Sequence, residues 1–117
     1  MTMIEPSAAA VAAAQLFRGL ADPTRLSILL HLLDGERRGK DLVGAVGSSQ
    51  SNVSGHLACL KECGLVLDRP GERRQVFYRL GAPEVAELLE AAEQLLRANG
   101  AAIDLCTHQL MGGRRDG

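Results

Sequence analysis

Residues 49–66 read SQSNVSGHLACLKECGLV, and residues 67–80 continue as LDRPGERRQVFYRL. In the first segment, apolar side chains recur at Val53, Leu57 and Leu60, which is the spacing of a helix with one buried face. The second segment contains two β-like runs on either side of a Pro-Gly turn signal. The pattern therefore predicts a helix followed directly by a two-stranded hairpin.

Three further helices are predicted before this stretch. The first is alanine-rich and covers residues 7–20, and Asp22-Pro23 carries the capping signal of the second. A third, short helix is followed by a turn that contains Gly47, and the helix of residues 49–66 comes next. A short helix, a tight turn and a second helix form the helix-turn-helix pattern.

A last helix is predicted after the hairpin, beginning at Ala82-Pro83-Glu84. It carries a single apolar stripe of Val85, Leu88, Leu89, Ala92, Leu95 and Leu96. A stripe of this kind at the end of a small domain is typical of a dimer interface. We therefore predict a mainly α, winged helix-turn-helix fold with three helices, a recognition helix, a two-stranded wing and a C-terminal dimerisation helix. The single domain is expected to span residues 7–111, between disordered tails of residues 1–6 and 112–117.

Composition narrows the class of protein. The chain has 117 residues, of which 46% are hydrophobic and 3% aromatic, as expected of one small helical domain. Its net charge of −1 does not by itself favour binding to nucleic acid. However, basic residues cluster in the middle of the chain and acidic residues in the last helix. A secretory signal and a long apolar run are both missing, so we expect a cytoplasmic protein without a membrane partner.

The sequence does not favour an enzyme. It has no nucleophile and base at a workable spacing, no phosphate-binding loop and no paired carboxylates. We therefore expect no small organic substrate.

The middle of the chain has the residue types that bind double-stranded DNA. Polar side chains at the start of a recognition helix contact base edges, while basic side chains bind phosphates. The candidates in the helix are Gln50, Ser51, Asn52 and Ser54, and those in the wing are Arg69, Arg73 and Arg74. His56 either touches a phosphate or packs beneath the helix, and the sequence leaves both alternatives open.

Cysteines lie within the same helix. Cys59 and Cys63 are four residues apart, so their side chains project about 40° from one another on the helical wheel. Thiolates bind soft metal ions, and two of them on one helix form half of a site. Cys106 is the only other thiol, with His108 two residues beyond it. Three sulfurs suit Cd(II) or Pb(II), whereas Zn(II) requires a fourth ligand such as His108 or a carboxylate.

These motifs resemble the ArsR/SmtB family of bacterial repressors. The resemblance rests on LADPTRLSIL at residues 20–29 and on QSNVSGHLACLKECGLV at residues 50–66. It implies a homodimer, joined through its first and last helices, that binds a palindromic operator and leaves it when an inducer binds. The two helix cysteines and a cysteine near the C-terminus are similar to the sites of cadmium and lead sensors in this family. That likeness implies Cys59, Cys63 and Cys106 as the metal ligands.

Two mechanisms follow from this prediction. In the first, metal binding ties the recognition helix to the C-terminal segment and holds the two helices of the dimer at a spacing that does not fit two DNA half-sites. In the second, the inducer is an oxidant or persulfide, and Cys106 forms a bond with Cys59 or Cys63 without metal.

Overall fold

The structure is a computed structural model that describes residues 5–100. Within this range the chain forms helices α1 (Ala8–Leu20), α2 (Pro23–His31), α3 (Gly39–Val46), α4 (Gln50–Glu62) and α5 (Pro83–Ala98). The strands are β1 (Arg37–Arg38), β2 (Val66–Pro70) and β3 (Val76–Leu80), and a short 3-10 turn (Glu72–Arg74) joins the last two. The predicted order of helices, wing and last helix is confirmed.

Side-chain caps set the starts of three helices. The Ser7 hydroxyl accepts a hydrogen bond from the backbone amide of Ala10 at 3.0 Å. The Asp22 carboxylate accepts one from the backbone amide of Arg25 at 3.0 Å, and the Ser49 hydroxyl accepts one from that of Asn52 at 3.1 Å. Each contact satisfies one of the amides that a helix leaves without a partner at its first turn. α3 ends at Val46 and is capped by Gly47, whose φ of 68° lies in the left-handed region that glycine adopts without strain. The turn into α4 is therefore defined locally.

The sheet has three antiparallel strands in the order β1-β3-β2, so the prediction of a two-stranded wing was incomplete. In the added pairing, Arg37 lies opposite Tyr78 and Arg38 opposite Phe77. β1 has only two residues, both arginines, and therefore carries no alternating apolar pattern that could reveal it. It extends the wing back to the start of α3.

The core lies between α2, α3, α4, the sheet and α5. Its fully or almost fully buried side chains are Ile28, Leu29, Leu32, Leu42, Val53, Leu57, Leu60, Leu65, Val66, Val85 and Leu89. Aliphatic side chains of this size each stabilise the fold by about 1.5–3 kcal/mol relative to an exposed position. α4 is therefore held to the body of the protein by its inward face.

α5 differs from its predicted single apolar stripe. Val85 and Leu89 are buried, but the next inward position is Glu93, which is 1% exposed and lies 3.4 Å from Arg97. Leu95 and Leu96 are 62% and 37% exposed. Positions four apart share one side of a helix, so the inward side continues through residue 93 and leaves both leucines outside.

No helix among the described residues is long and apolar enough to cross a membrane. The candidate ligand Cys106, the neighbouring His108 and the expected tail of residues 112–117 lie outside the described residues.

Candidate functional site

The exposed start of α4 forms one part of the site, which we call the reading surface (Gln50, Ser51, Asn52 and Ser54). All four residues are exposed, as predicted for groups that meet DNA. Ser49 caps the helix, and the Asn52 amide nitrogen donates to the Ser48 hydroxyl at 2.6 Å. Small polar side chains on a rigid, capped helix allow the backbone to come close to a duplex.

The wing presents two arginines at its tip. Arg73 and Arg74 are exposed and have φ values of 59° and 64°, a region that residues other than glycine rarely adopt. The turn thus exposes two cations on a strained backbone. Such a tip suits contact with phosphates.

Arg69, the third predicted wing residue, is held within the wing. Its guanidinium donates two hydrogen bonds to the Glu36 carboxylate, at 2.6 and 2.8 Å, and lies 4.5 Å from the centre of the Phe77 ring. The hydrogen bond from Arg69 lowers the pKa of Glu36 below its ordinary value. The structure therefore brings Arg69 together with the segment before β1 and not with the tip.

His56 faces the body of the protein. Its Nδ1 lies 3.4 Å from the Arg25 guanidinium, and its Nε2 lies 3.9 Å from the Asp22 carboxylate. The imidazole is 19% exposed. Of the two alternatives left open by the sequence, these contacts favour packing beneath the helix over binding a phosphate.

Cys59 and Cys63 lie on a third side of α4 and line a cleft of about 660 Å³ against the end of α1. Both are free and partly buried. We call this space the thiol cleft (Cys59, Cys63, Arg18, Gly19, Arg25 and Glu62). The predicted pairing of the two cysteines on one side of the helix is consistent with this placement.

The backbone of α1 approaches Cys63 closely. A methyl group added at Gly19 would lie 3.1 Å from the Cys63 Sγ atom and 3.3 Å from Leu65. Burial raises the pKa of the Cys63 thiol, the neighbouring Cys59 and Glu62 raise it further, and Arg25 partly offsets the effect. Cys63 is therefore protonated near neutral pH, and a metal ion must displace that proton to bind.

The thiol cleft has the donor chemistry of a soft-metal half-site. Among residues 5–100 no group of three or more histidine, cysteine or acidic side chains is arranged to hold a metal ion. Two sulfurs from one helix fit one side of a thiolate site, and the remaining donor must come from another segment. Cys106 is a thiol of the right kind in the sequence, but its position lies outside the described residues.

Sequence reasoning missed Arg25 and Glu36. Arg25 belongs to the capping motif, yet its side chain crosses to α4, 31 residues further along the chain. Glu36 meets Arg69 across 33 residues. Neither pairing follows a helical or strand period, so the spacing of residues carries no signal for it.

Comparisons with known proteins agree with this arrangement. Residues 22–67 match the family model described as bacterial regulatory protein, arsR family. A probable mercury resistance operon repressor of Streptomyces lividans is 46% identical over 94 residues, which cover 80% of this chain and 74% of that protein. The transcriptional regulator CmtR of Mycobacterium bovis is 46% identical over 87 residues, covering 74% of this chain and 73% of CmtR.

Solved structures share the fold. The crystal structure of Rv0081 from Mycobacterium tuberculosis matches with a TM-score of 0.75 and 32% identity, covering 80% of this chain and 94% of that one. A solution structure from Mycobacterium bovis, a homodimeric winged helix-turn-helix DNA-binding domain, matches with a TM-score of 0.70 and 29% identity, covering 87% of this chain and 99% of that one.

Proposed function

The chain belongs to the arsR family of bacterial regulatory proteins, and we propose that it is a homodimeric, metal-responsive transcriptional repressor. Its relatives are named as repressors and regulators, so the chain is a regulator and not an enzyme, as predicted. We propose that it acts in the cytoplasm on double-stranded operator DNA. The observation that carries the proposal is the thiol pair on the helix that also forms the reading surface.

The reading surface and the wing tip are the proposed DNA contacts. Gln50, Ser51, Asn52 and Ser54 would enter the major groove, and Arg73 and Arg74 would bind phosphates on either side of it. Arg69 and His56 have polar partners within the protein. We therefore propose that these two residues hold the wing and α4 in place.

The dimer is proposed to form through α1 and α5. These helices expose Val11, Phe17 and Leu95 by 47%, 55% and 62%. Large apolar side chains exposed on the first and last helices favour contact with a second copy. The homodimeric domain from Mycobacterium bovis supports this assignment by its similar fold.

The proposed inducer is a soft divalent ion held by thiolates. Cys59 and Cys63 would supply two ligands and Cys106 the third, a set that suits Cd(II) or Pb(II). Zn(II) would require a fourth donor such as His108. The likeness to a probable mercury resistance operon repressor supports a metal response of this kind.

Release of DNA would follow from the shared helix. Ligation of Cys59 and Cys63 ties α4 to the segment that supplies the third donor, which changes how each reading surface is presented in the dimer. The free energy that couples the binding of two ligands to one protein is typically about 1–3 kcal/mol, which changes each affinity by roughly five- to 150-fold. Binding of the metal and binding of the operator would then oppose one another.

The test is a titration of the reduced protein on its own promoter DNA with Cd(II), Pb(II), Zn(II) and arsenite in parallel. We expect Cd(II) or Pb(II) to lower DNA affinity by roughly five-fold or more in the parent, and by much less in Cys59→Ser, Cys63→Ser and Cys106→Ser. Gln15→Ala is the matched control, because this residue lines the same cleft and carries neither a thiol nor a carboxylate. Equal release from the cysteine variants would overturn the metal site, and release only by an oxidant would point to thiol chemistry instead.

A further inference from the structure

The side chain of Arg25 joins three elements beside the thiol cleft. We propose that Arg25 is the positioning residue through which occupancy of the thiols is transmitted to the DNA-reading helix. This inference rests on the proposed function, because it assigns the coupling between the two sites to one side chain.

The contacts of Arg25 are specific to a guanidinium. Its Nε donates to the Gly19 carbonyl at 2.7 Å, and its Nη2 donates to the Arg18 carbonyl at 3.0 Å. Both carbonyls belong to the last turn of α1, and the Arg18 carbonyl also accepts from the Ala21 amide at 3.2 Å, so Arg25 adds a second donor there. The third nitrogen, Nη1, lies 3.4 Å from Nδ1 of His56 on α4. One planar group therefore bridges the end of α1 and the middle of α4.

His56 extends this link to the start of α2. A guanidinium has only donors, so Nδ1 of His56 accepts the hydrogen bond from Arg25, and the neutral ring carries its proton on Nε2. That atom faces the Asp22 carboxylate at 3.9 Å, and Asp22 caps the helix to which Arg25 belongs. The three residues form a closed polar cluster between α1, α2 and α4.

The thiols touch the same junction. Cys59 lies one turn after His56 on α4, and Cys63 packs directly on the backbone of Gly19, whose carbonyl Arg25 holds. The Cys63 Sγ atom would lie only 3.1 Å from a methyl group on Gly19, so a turn of this thiol towards a shared ion changes its packing against Gly19. A change at the thiols therefore affects the Gly19 carbonyl, to which Arg25 donates.

The two helices that Arg25 joins have different roles in the proposed DNA binding. α1 carries part of the proposed dimer surface, and α4 carries the reading surface. The distance between the two reading surfaces of a dimer depends on the angle at which α1 and α4 are joined. Arg25 is the polar connection between these helices at the thiol cleft, so its loss would leave both sites formed but weakly coupled.

The experiment compares the parent, Arg25→Lys and the control Arg18→Gln in reduced form, with Cd(II) as the probe. A lysine keeps the positive charge but places it on a single nitrogen, which does not span two carbonyls and the imidazole. Arg18 also lines the thiol cleft, while its bond to Arg25 uses only its backbone carbonyl. Three quantities are measured for each protein: operator affinity without metal, Cd(II) affinity by thiolate absorbance, and operator affinity with saturating Cd(II).

We expect the ratio of the two operator affinities to fall in Arg25→Lys to within about twofold of unity, while Arg18→Gln keeps the parental ratio of roughly five- to 150-fold. A merely structural role would weaken both operator affinities together and leave their ratio unchanged, which would overturn the proposal. If the parent itself shows no Cd(II) effect, the proposed function fails and takes this inference with it. Thermal unfolding and sedimentation check the fold and the dimer. Should Arg25→Lys not fold, His56→Gln breaks the same link from α4 and is expected to reduce the ratio likewise.

Discussion

Single residues decide how closely the elements of this protein approach one another. Gly81 follows β3, and its amide donates to the Leu65 carbonyl at 2.9 Å. A methyl group at Gly81 would overlap the carbonyl of Gly64, which itself has a φ of 76°. The crossing of these two chain segments therefore has no space for a side chain.

Gly81→Ala is expected to destabilise the protein by about 2 kcal/mol or more, because backbone and not a flexible side chain must move. Denaturant unfolding measures the loss. Gly44→Ala is the control, since nothing lies within 4 Å of an added methyl group there. Alanine in the helix interior is expected to stabilise by about 0.5–1 kcal/mol. Equal stability of both variants would contradict this account.

Gly19→Ala tests the approach of α1 to the thiols. The added methyl group would lie 3.1 Å from the Cys63 Sγ atom, so the thiol must shift. We expect Cd(II) affinity to fall by several-fold and operator affinity without metal to fall with it, because Arg25 holds the Gly19 carbonyl at this junction. Thiolate absorbance and gel shifts report the two affinities. Unchanged Cd(II) binding would show that Cys63 can be displaced from Gly19 without effect on the site.

At the scale of elements, the wing is built in two parts. Its tip carries Arg73 and Arg74, and the end of β2 beside the tip is fastened by the bidentate contact between Arg69 and Glu36. The tip is exposed to a partner, whereas the contact of Arg69 with Glu36 serves the fold. The two parts should therefore respond differently to substitution.

Arg74→Ala is expected to weaken binding to every DNA sequence by the same factor, because phosphates are common to all of them. It should also reduce the magnitude of the slope of log affinity against log salt concentration by about 0.9, the value for one phosphate contact. Arg73→Ala should behave in the same way. Glu36→Gln leaves both tip residues in place and is the comparison. A parental salt slope in the tip variants would exclude phosphate contacts there.

The contact between Arg69 and Glu36 should be sensitive to acid. Glu36 has a folded pKa below its ordinary value of 4.5, because Arg69 donates to it. Its contribution to stability is therefore complete above that ordinary value and is lost as the pH falls through the lowered folded pKa. Unfolding measured across this acid range should show a smaller pH dependence in Glu36→Gln than in the parent. The same pH dependence in both proteins would contradict the contact.

The helices could be predicted from the sequence, but several contacts could not. Caps and apolar periods are local signals, so the Asp22 cap and the buried face of α4 could be predicted from the residues alone. β1 lacks an apolar pattern, and the link between Arg69 and Glu36 joins residues far apart in the chain. Long-range polar pairs depend on how elements pack, which no local period encodes.

At the scale of the whole molecule, the sequence did not distinguish the apolar side chains of α5 that pack in the core from those that stay exposed. Leu95 was predicted within the same stripe as Val85, yet the fold buries Val85 and leaves Leu95 62% exposed. The candidate metal site was predicted as Cys59, Cys63 and Cys106, and the fold adds the cleft around the first two and the contact of Cys63 with Gly19. The role of Cys106 as the third metal ligand stays a prediction.

Leu95→Glu tests the dimer. A charge at this exposed position should leave the monomer folded but disfavour burial against a second copy. We expect sedimentation to shift from dimer to monomer and operator affinity to fall with it. Leu67→Glu is the control for assembly, because Leu67 is 41% exposed but belongs to β2 and not to α1 or α5. A dimeric Leu95→Glu variant would exclude this surface.

The central claim is that one helix binds both the metal and the operator, each at the expense of the other. The most direct measurement is the Cd(II) affinity of the reduced protein, free and saturated with its operator. Linkage requires DNA to weaken Cd(II) binding by the same factor by which Cd(II) weakens DNA binding, which we expect to be roughly five- to 150-fold. Equal Cd(II) affinity in the free and DNA-bound protein would contradict the account.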